Sequence, residues 1–236
     1  FRADRLVAVS NYTKREILKE CPEADIMVII HAVDAGEFSE GEEELSEKEK
    51  LEIDKLKPYI LSVGGGKRRK GYEYSFPAFV EVAKRFPDLK YAVVGHSIEN
   101  TPARSLGVAD KTRCFFGIRR QFLRALYRNA ELFMLLPYDD QGDVEGFGFA
   151  FLEAAAAGLP VIGTHESGSE DAVEHERNGY LVEPRNPASA ARAAIKILSD
   201  PALKRKLASG SIDFARRMKW DGVAAEYFAI YKKLAG

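Results

Sequence analysis

Two carboxylates frame the stretch of the chain best suited to chemistry. Glu145 and Glu153 stand eight positions apart in GDVEGFGFAFLEAAAAGLPVIG, with Gly146, Phe147, Gly148 and Phe149 directly after the first. A helix N-terminus carries unpaired N–H groups and a partial positive charge, and glycines just before it let an anion approach the backbone. Gly146 and Gly148 are therefore candidates for a phosphate cradle at the start of the helix that holds Phe149 and Leu152. A simple turn would use the same residues. Glu153 lies inside that helix among apolar neighbours, where a carboxylate is seldom buried without a partner. The paired hydroxyls of a ribose would satisfy it, and so would an arginine. Glu145 points toward whatever the turn cradles. A sugar hydroxyl suits it, as would an exposed loop position or a helix cap.

A second cluster is GGGKRRKGY, Gly64 to Tyr72. Glycines directly after an apolar run, followed by Lys67, Arg68, Arg69 and Lys70, could form another phosphate clamp of backbone N–H groups and cations. It lacks the Lys-Ser/Thr ending of a Walker A loop, and a solvated basic turn is the alternative. His31, His96, His165 and His175 show no metal spacing. His96 and His165 follow VVG and VIGT, so each would face a cleft or simply pack. Arg120, Arg124 and Arg128 share one helical face and read as a solvated surface.

These residues need a scaffold, and the pattern supplies one. Short apolar runs (RLVAVS, DIMVIIHAV, YILSVGG, LKYAVVGH, TRCFFG, LFMLLP, PVIGT, NGYLVE) alternate with helical stretches, ending in three helices from PASAARAAIKILSD onward. Such alternation predicts an α/β fold, a Rossmann-like parallel sheet with helices on both faces. Ligands of such sheets bind outside the carboxyl ends of the strands, which directs attention to the loops after SVG, VVG, FFG, LLP and VIG. The charged stretch EGEEELSEKEKLEIDKL, 40–56, offers only a thin stripe of Leu45, Leu51 and Leu56 and reads as a solvated helix or linker.

Composition narrows the classes. With 35 basic and 36 acidic side chains in 236 residues, nothing attracts nucleic acid or anionic membrane in general. No apolar run approaches the roughly 18 residues of a membrane span. Cys21 and Cys114 lie far apart, which fits a reducing cytoplasm rather than a disulfide framework. The chain opens on Phe1, almost inside a strand and with no signal peptide, as a fragment of something longer would.

EGFGFAFLEAAAAGLPVIGT resembles the signature of family-4 retaining glycosyltransferases, in which seven residues separate two glutamates. ADRLVAVSNYTKREI, MVIIHAVDAGEF, ILSVGGGKRRKGY, NGYLVEPRNP and the final MKW helix are similar to that family in order. The resemblance implies a GT-B architecture of two Rossmann-like domains, with 1–36 the remnant of the N-terminal domain and linker and 37–236 the nucleotide-sugar-binding domain. It implies that Glu145 contacts the donor sugar and that backbone N–H groups of Gly146, Phe147, Gly148 and Phe149 hold sugar and phosphate. Glu153 would bind the ribose, and Lys70 would neutralise the diphosphate beside Gly64 and Gly65. The base would lie near Phe116 to Ile118. On this reading, loss of the Glu145 charge spares a bare nucleotide.

The expected partners are a UDP- or GDP-linked sugar, an acceptor, and an N-terminal domain or partner subunit, with retention and without metal or cofactor. Gly65 stands where the family often has Arg, leaving Lys67, Arg68 or Arg69 to compensate, and His31-Ala32 stands where Asn-Gly is usual. A non-catalytic nucleotide-sugar-binding module is the alternative. An epimerase or phosphorylase of the same fold fits the two-glutamate block less well.

Overall fold

The computed structural model describes residues 3–39 and 44–235. The chain enters through β1 (Leu6–Ala8), α1 (Asn11–Glu20) and β2 (Ile26–Val28), and the two strands pair in parallel. Ser10 starts α1 by accepting the N–H of Thr13 on its side chain. The apolar run DIMVIIHAV, expected as one long strand, is a strand only over Ile26–Val28, because its partner β1 offers just three residues to pair with.

After α2 (Ala35–Ser39) comes α3 (Glu47–Leu56), which opens with a reciprocal capping box between Ser46 and Glu49. The charged stretch is thus a docked helix rather than a solvated one, its first residues, 40–43, lying outside the described residues. Ile53 and Leu56 form the buried stripe and Leu45 packs against the core, whereas Leu51 is 52% exposed. Glu49 and Glu52 pair with Arg119 and Arg113 of the neighbouring sheet edge.

The main body then runs β3 (Tyr59–Val63), α4 (Tyr72–Arg85), β4 (Lys90–Val94), β5 (Thr112–Phe115), α5 (Arg120–Asn129), β6 (Leu132–Met134), α6 (Phe149–Ala156), β7 (Val161–Thr164), β8 (Gly179–Val182), α7 (Pro187–Ser199), α8 (Pro201–Arg217) and α9 (Trp220–Ala235). Six strands form one all-parallel sheet in the order β5-β4-β3-β6-β7-β8. Apart from the edge strand β5, which buries only Phe115, its strands are almost wholly buried, with Ile60, Leu61, Tyr91, Val93, Phe133 and Val161 inaccessible. Both faces must therefore be covered: α4 packs with α7, while α5 and α6 pack with α2.

Strand order reverses between β3 and β6. This is the topological switch point, where the loops leaving two neighbouring strands diverge and open a crevice. α5 turns Arg120 and Arg124 onto Glu37 of α2, so that face is an inter-helix ion-pair cluster rather than open surface. Hydrogen bonding from Arg120 holds the Glu37 carboxyl below the usual range.

The two ends of the chain meet. Val33 donates its N–H to the Met218 carbonyl at 3.1 Å, and Arg5 and Met27 share a groove with Ala229 and Ile230 of α9. Among the described residues no helix is long and apolar enough to cross a membrane.

Candidate functional site

The loops leaving β3 and β6 bring the two sequence clusters together. A tight turn at Arg68–Lys70 ends at Gly71, whose backbone (φ 71°) lies so close to β6 that a Cβ there would sit 1.7 Å from the Leu136 carbonyl oxygen. The Arg69 carbonyl accepts the N–H of Tyr138 at 3.0 Å, which fixes the basic turn over the chain leaving β6. Lys70 and Arg69 consequently converge on one oxygen of Glu145. Arg69 Nη1 reaches Oε2 at 2.5 Å, and Lys70 Nζ bonds the same atom.

Glu145 is only 7% exposed, so it is not an open loop carboxylate. Asp143 adds a second carboxylate 3.0 Å from Arg69 Nε. Lys67 and Arg68 stay on the rim, 3.8 Å from Asp143 and 4.0 Å from Asp140. Of the three cations that could compensate for Gly65, Arg69 is the one inside. Gly65 itself is exposed, and Gly64 lies under the Lys70 side chain, where an added Cβ would come 3.3 Å from Cδ.

The 145–150 loop is asymmetric in its hydrogen bonding. Its carbonyls are held by protein: Gly168 N–H donates to Glu145 O at 2.7 Å, Ser10 and Thr13 hydroxyls donate to Gly146 O at 2.5 and 3.0 Å, and Phe151 N–H donates to Gly148 O at 2.9 Å. Among the described residues, no acceptor takes the N–H groups of Gly146 to Ala150. Gly148 (φ 87°) starts α6 without a side-chain cap. α4 and α5, which follow β3 and β5, are without a side-chain cap as well, whereas Ser10, Ser46, Asn186 and Asp200 cap α1, α3, α7 and α8. The first N–H groups of a helix have no partner within it, so this run of donors, directly after the carboxylate that binds both cations, has the chemistry of an anion site.

The other expected residues distribute around this centre. Phe147 is buried and Phe149 half-exposed, and both rings touch His31, at 5.8 and 4.5 Å between centroids. Burial holds His31 and His96 below the usual histidine range. His96 packs under the glycine-rich loop, where a Cβ on Gly66 would lie 3.2 Å from its ring, so it does reach the crevice. His165 instead lies 3.9 Å from Glu170.

Among the described residues, no arginine bonds Glu153. It accepts from the hydroxyl of the fully buried Tyr127 at 2.8 Å, and burial raises its pKa above the usual carboxylate value. Ile118 follows β5 and packs partly into the core beside Phe116, which is 80% exposed. No bond joins Glu153 or Ile118 to the Lys70–Glu145 cluster among the described residues. A cavity of about 450 Å³ lined by Lys90, Lys111 and Thr112 opens at the amino ends of β4 and β5, the wrong edge for this fold.

Ser10, Thr13 and Gly168 escaped the sequence reading, since the first two meet Gly146 across 136 and 133 positions of chain. Gly168 fits so closely that a Cβ would lie 2.3 Å from the Gly146 carbonyl carbon. No local pattern marks such contacts.

A family model described as glycosyl transferases group 1 matches residues 43–213. An uncharacterized glycosyltransferase of Methanocaldococcus jannaschii is 27% identical over 98% of the chain and 60% of its own length. A GDP-mannose-dependent alpha-(1-6)-phosphatidylinositol monomannoside mannosyltransferase of Mycobacterium tuberculosis is 28% identical over 94% of the chain and 60% of its own. The chain thus spans about 60% of the length of these relatives. The structure of HepE from Anabaena in complex with UDP and glucose covers 99% of this chain and 63% of its own at a TM-score of 0.78 and 17% identity, a likeness of fold. That fold is the Rossmann-like one of GT-B glycosyltransferases. Because the family match takes in both switch-point loops and the basic turn, the chain belongs to the glycosyl transferases group 1 family.

Proposed function

We propose that this chain is the donor-binding part of a retaining glycosyltransferase, taking a UDP- or GDP-linked sugar whose glycosyl group passes to an acceptor. The observation that carries this reading is the run of unpaired N–H groups from Gly146 to Ala150 beside Lys70 and Arg69. A diphosphate would lie between them. Lys70 and Arg69 neutralise the charge that grows on it as the anomeric bond breaks, and Glu145 contacts the transferred sugar. Gly64 and Gly65 admit the phosphates closely. Glu153 takes the ribose diol, and the base lies by Phe116 to Ile118, two strand spacings or roughly 10 Å from β3. The named donor of the mycobacterial relative and the UDP and glucose of the Anabaena structure support a nucleotide sugar. With two side-chain cations for the diphosphate, donor binding requires no metal or cofactor. The free thiols of Cys21 and Cys114 suit a cytoplasmic setting.

Titration calorimetry with UDP, GDP and ADP, each in EDTA, tests this. At least one should give saturable heat, and none from folded protein would overturn the reading.

Binding without transfer is a second reading, favoured by the 60% coverage of the relatives. If residues 1–36 belong to an acceptor-binding domain and 37–236 to the donor domain, both walls of the cleft are needed to exclude water and orient two substrates. The chain by itself should then release nucleotide from UDP-glucose or GDP-mannose far more slowly than a longer gene product. Equal turnover would refute the two-wall requirement.

A further inference from the structure

We propose that Ser10 and Thr13, in the segment ahead of the family match, are positioning residues for the donor loop. The proposal rests on the donor-binding reading above. Ser10 is fully buried and accepts the Thr13 N–H at 2.8 Å, and its single hydroxyl proton reaches both the Gly146 carbonyl and Thr13 Oγ1, the latter at 2.9 Å. The Thr13 hydroxyl donates to the second lone pair of that carbonyl at 3.0 Å. A peptide unit is planar and trans, so a carbonyl fixed toward α1 turns the Phe147 N–H the opposite way. The Gly168 N–H does the same to the preceding peptide through Glu145 O.

The anchors are themselves joined. Asn11 Nδ2 and the Tyr12 N–H both donate to Asp171, at 2.6 and 3.1 Å, and Arg15 pairs with Glu170. Gly168, Glu170 and Asp171 belong to one turn, so α1, that turn and the 145–150 loop form a closed frame. The start of α1 therefore sets which way the loop's donors face, and any shift of α1 shifts the donor site with it.

Thr13→Val is the cleanest probe, because it removes one hydroxyl and leaves the Ser10 cap of α1 in place; Thr13→Ser restores the hydroxyl, and Ser10→Ala/Thr13→Val removes both. Each is titrated with UDP and with GDP in EDTA, melted, and followed by amide hydrogen exchange. We expect Thr13→Val to bind roughly tenfold more weakly and to exchange faster at Gly146 to Ala150. Thr13→Ser should return to the parent, the double variant should lose more, and exchange in β3 and β4 should not change. Parent-like affinity and loop exchange in Thr13→Val and in the double variant would overturn the proposal while leaving the donor reading intact. Faster exchange throughout β3 and β4, with a lowered melting temperature, would make the role merely structural and overturn it as well. If the parent binds neither UDP nor GDP, the donor reading fails and the proposal with it.

Discussion

Glu153→Gln should weaken a bare nucleoside diphosphate by about 10- to 100-fold while leaving the melting temperature at neutral pH unchanged or higher. The two effects have one cause. Glu153 sits in α6 between apolar neighbours and is bonded only to the Tyr127 hydroxyl, with no ion pair among the described residues. Burial raises its folded pKa above the unfolded one. The folded state therefore binds the proton more readily, and stability falls as pH rises between the two values. Above the folded value the charged group opposes folding, so exchanging it for a neutral amide that still accepts from Tyr127 removes a cost. A ribose diol donating to the carboxylate would make two charge-assisted bonds, each worth about 1.5–3 kcal/mol, and an amide keeps only part of that. The same protonation predicts that nucleotide affinity declines on acidification earlier than for an ordinary carboxylate. Calorimetry and melting curves on parent and variant at pH 7.5 and pH 5 measure both. Parent-like affinity with a lowered melting temperature would identify Glu153 as a structural partner of Tyr127 and remove it from the donor site.

Much of this could be read from sequence because the relevant signals are local. Short continuous apolar runs such as YILSV and LFM, too short for helices and alternating with helical stretches, read as strands buried on both faces of a parallel sheet. Glu145 stands out as a candidate because it precedes glycines at a strand-to-helix turn, whereas the family resemblance alone singles out Lys70 from four neighbouring cations. Where partners are distant, local signals fail. Leu51 fits an apolar stripe on paper, but Ile53 and Leu56 set the face that α3 buries. Arg120 and Arg124 form a charged helical face whose meaning depends on Glu37, more than eighty positions away. Arg69 was one of three equivalent cations until the Arg69–Tyr138 backbone bond oriented the turn. Nothing near Ser10 announces Gly146.

The convergence of Arg69 and Lys70 on Glu145 also reverses an expectation. If Glu145 only contacted the sugar, neutralising it would leave a bare nucleotide untouched. In the structure, Glu145 Oε2 already occupies both cations proposed above for the diphosphate. A diphosphate must compete with that carboxylate, and once bound it faces a negative charge at close range in a poorly hydrated crevice, where Coulomb repulsion exceeds its value in water. Glu145→Gln should therefore tighten UDP or GDP, by about tenfold or ~1.4 kcal/mol. A nucleotide sugar gains the same relief but loses its charged contact to Glu145, so its affinity should rise less or fall, and turnover in a catalytically competent form should drop by a hundredfold or more. Lys70→Met supplies the opposite sign, weakening both ligands by leaving the diphosphate one cation short. Raising salt should narrow the difference between parent and Glu145→Gln only slightly, since the pair is largely shielded from solvent. Titrations of UDP against UDP-glucose, and of GDP against GDP-mannose, on the three proteins resolve the signs. If Glu145→Gln binds bare nucleotide more weakly than the parent, the carboxylate is not a competitor for those cations, and its role lies in holding the basic turn in place.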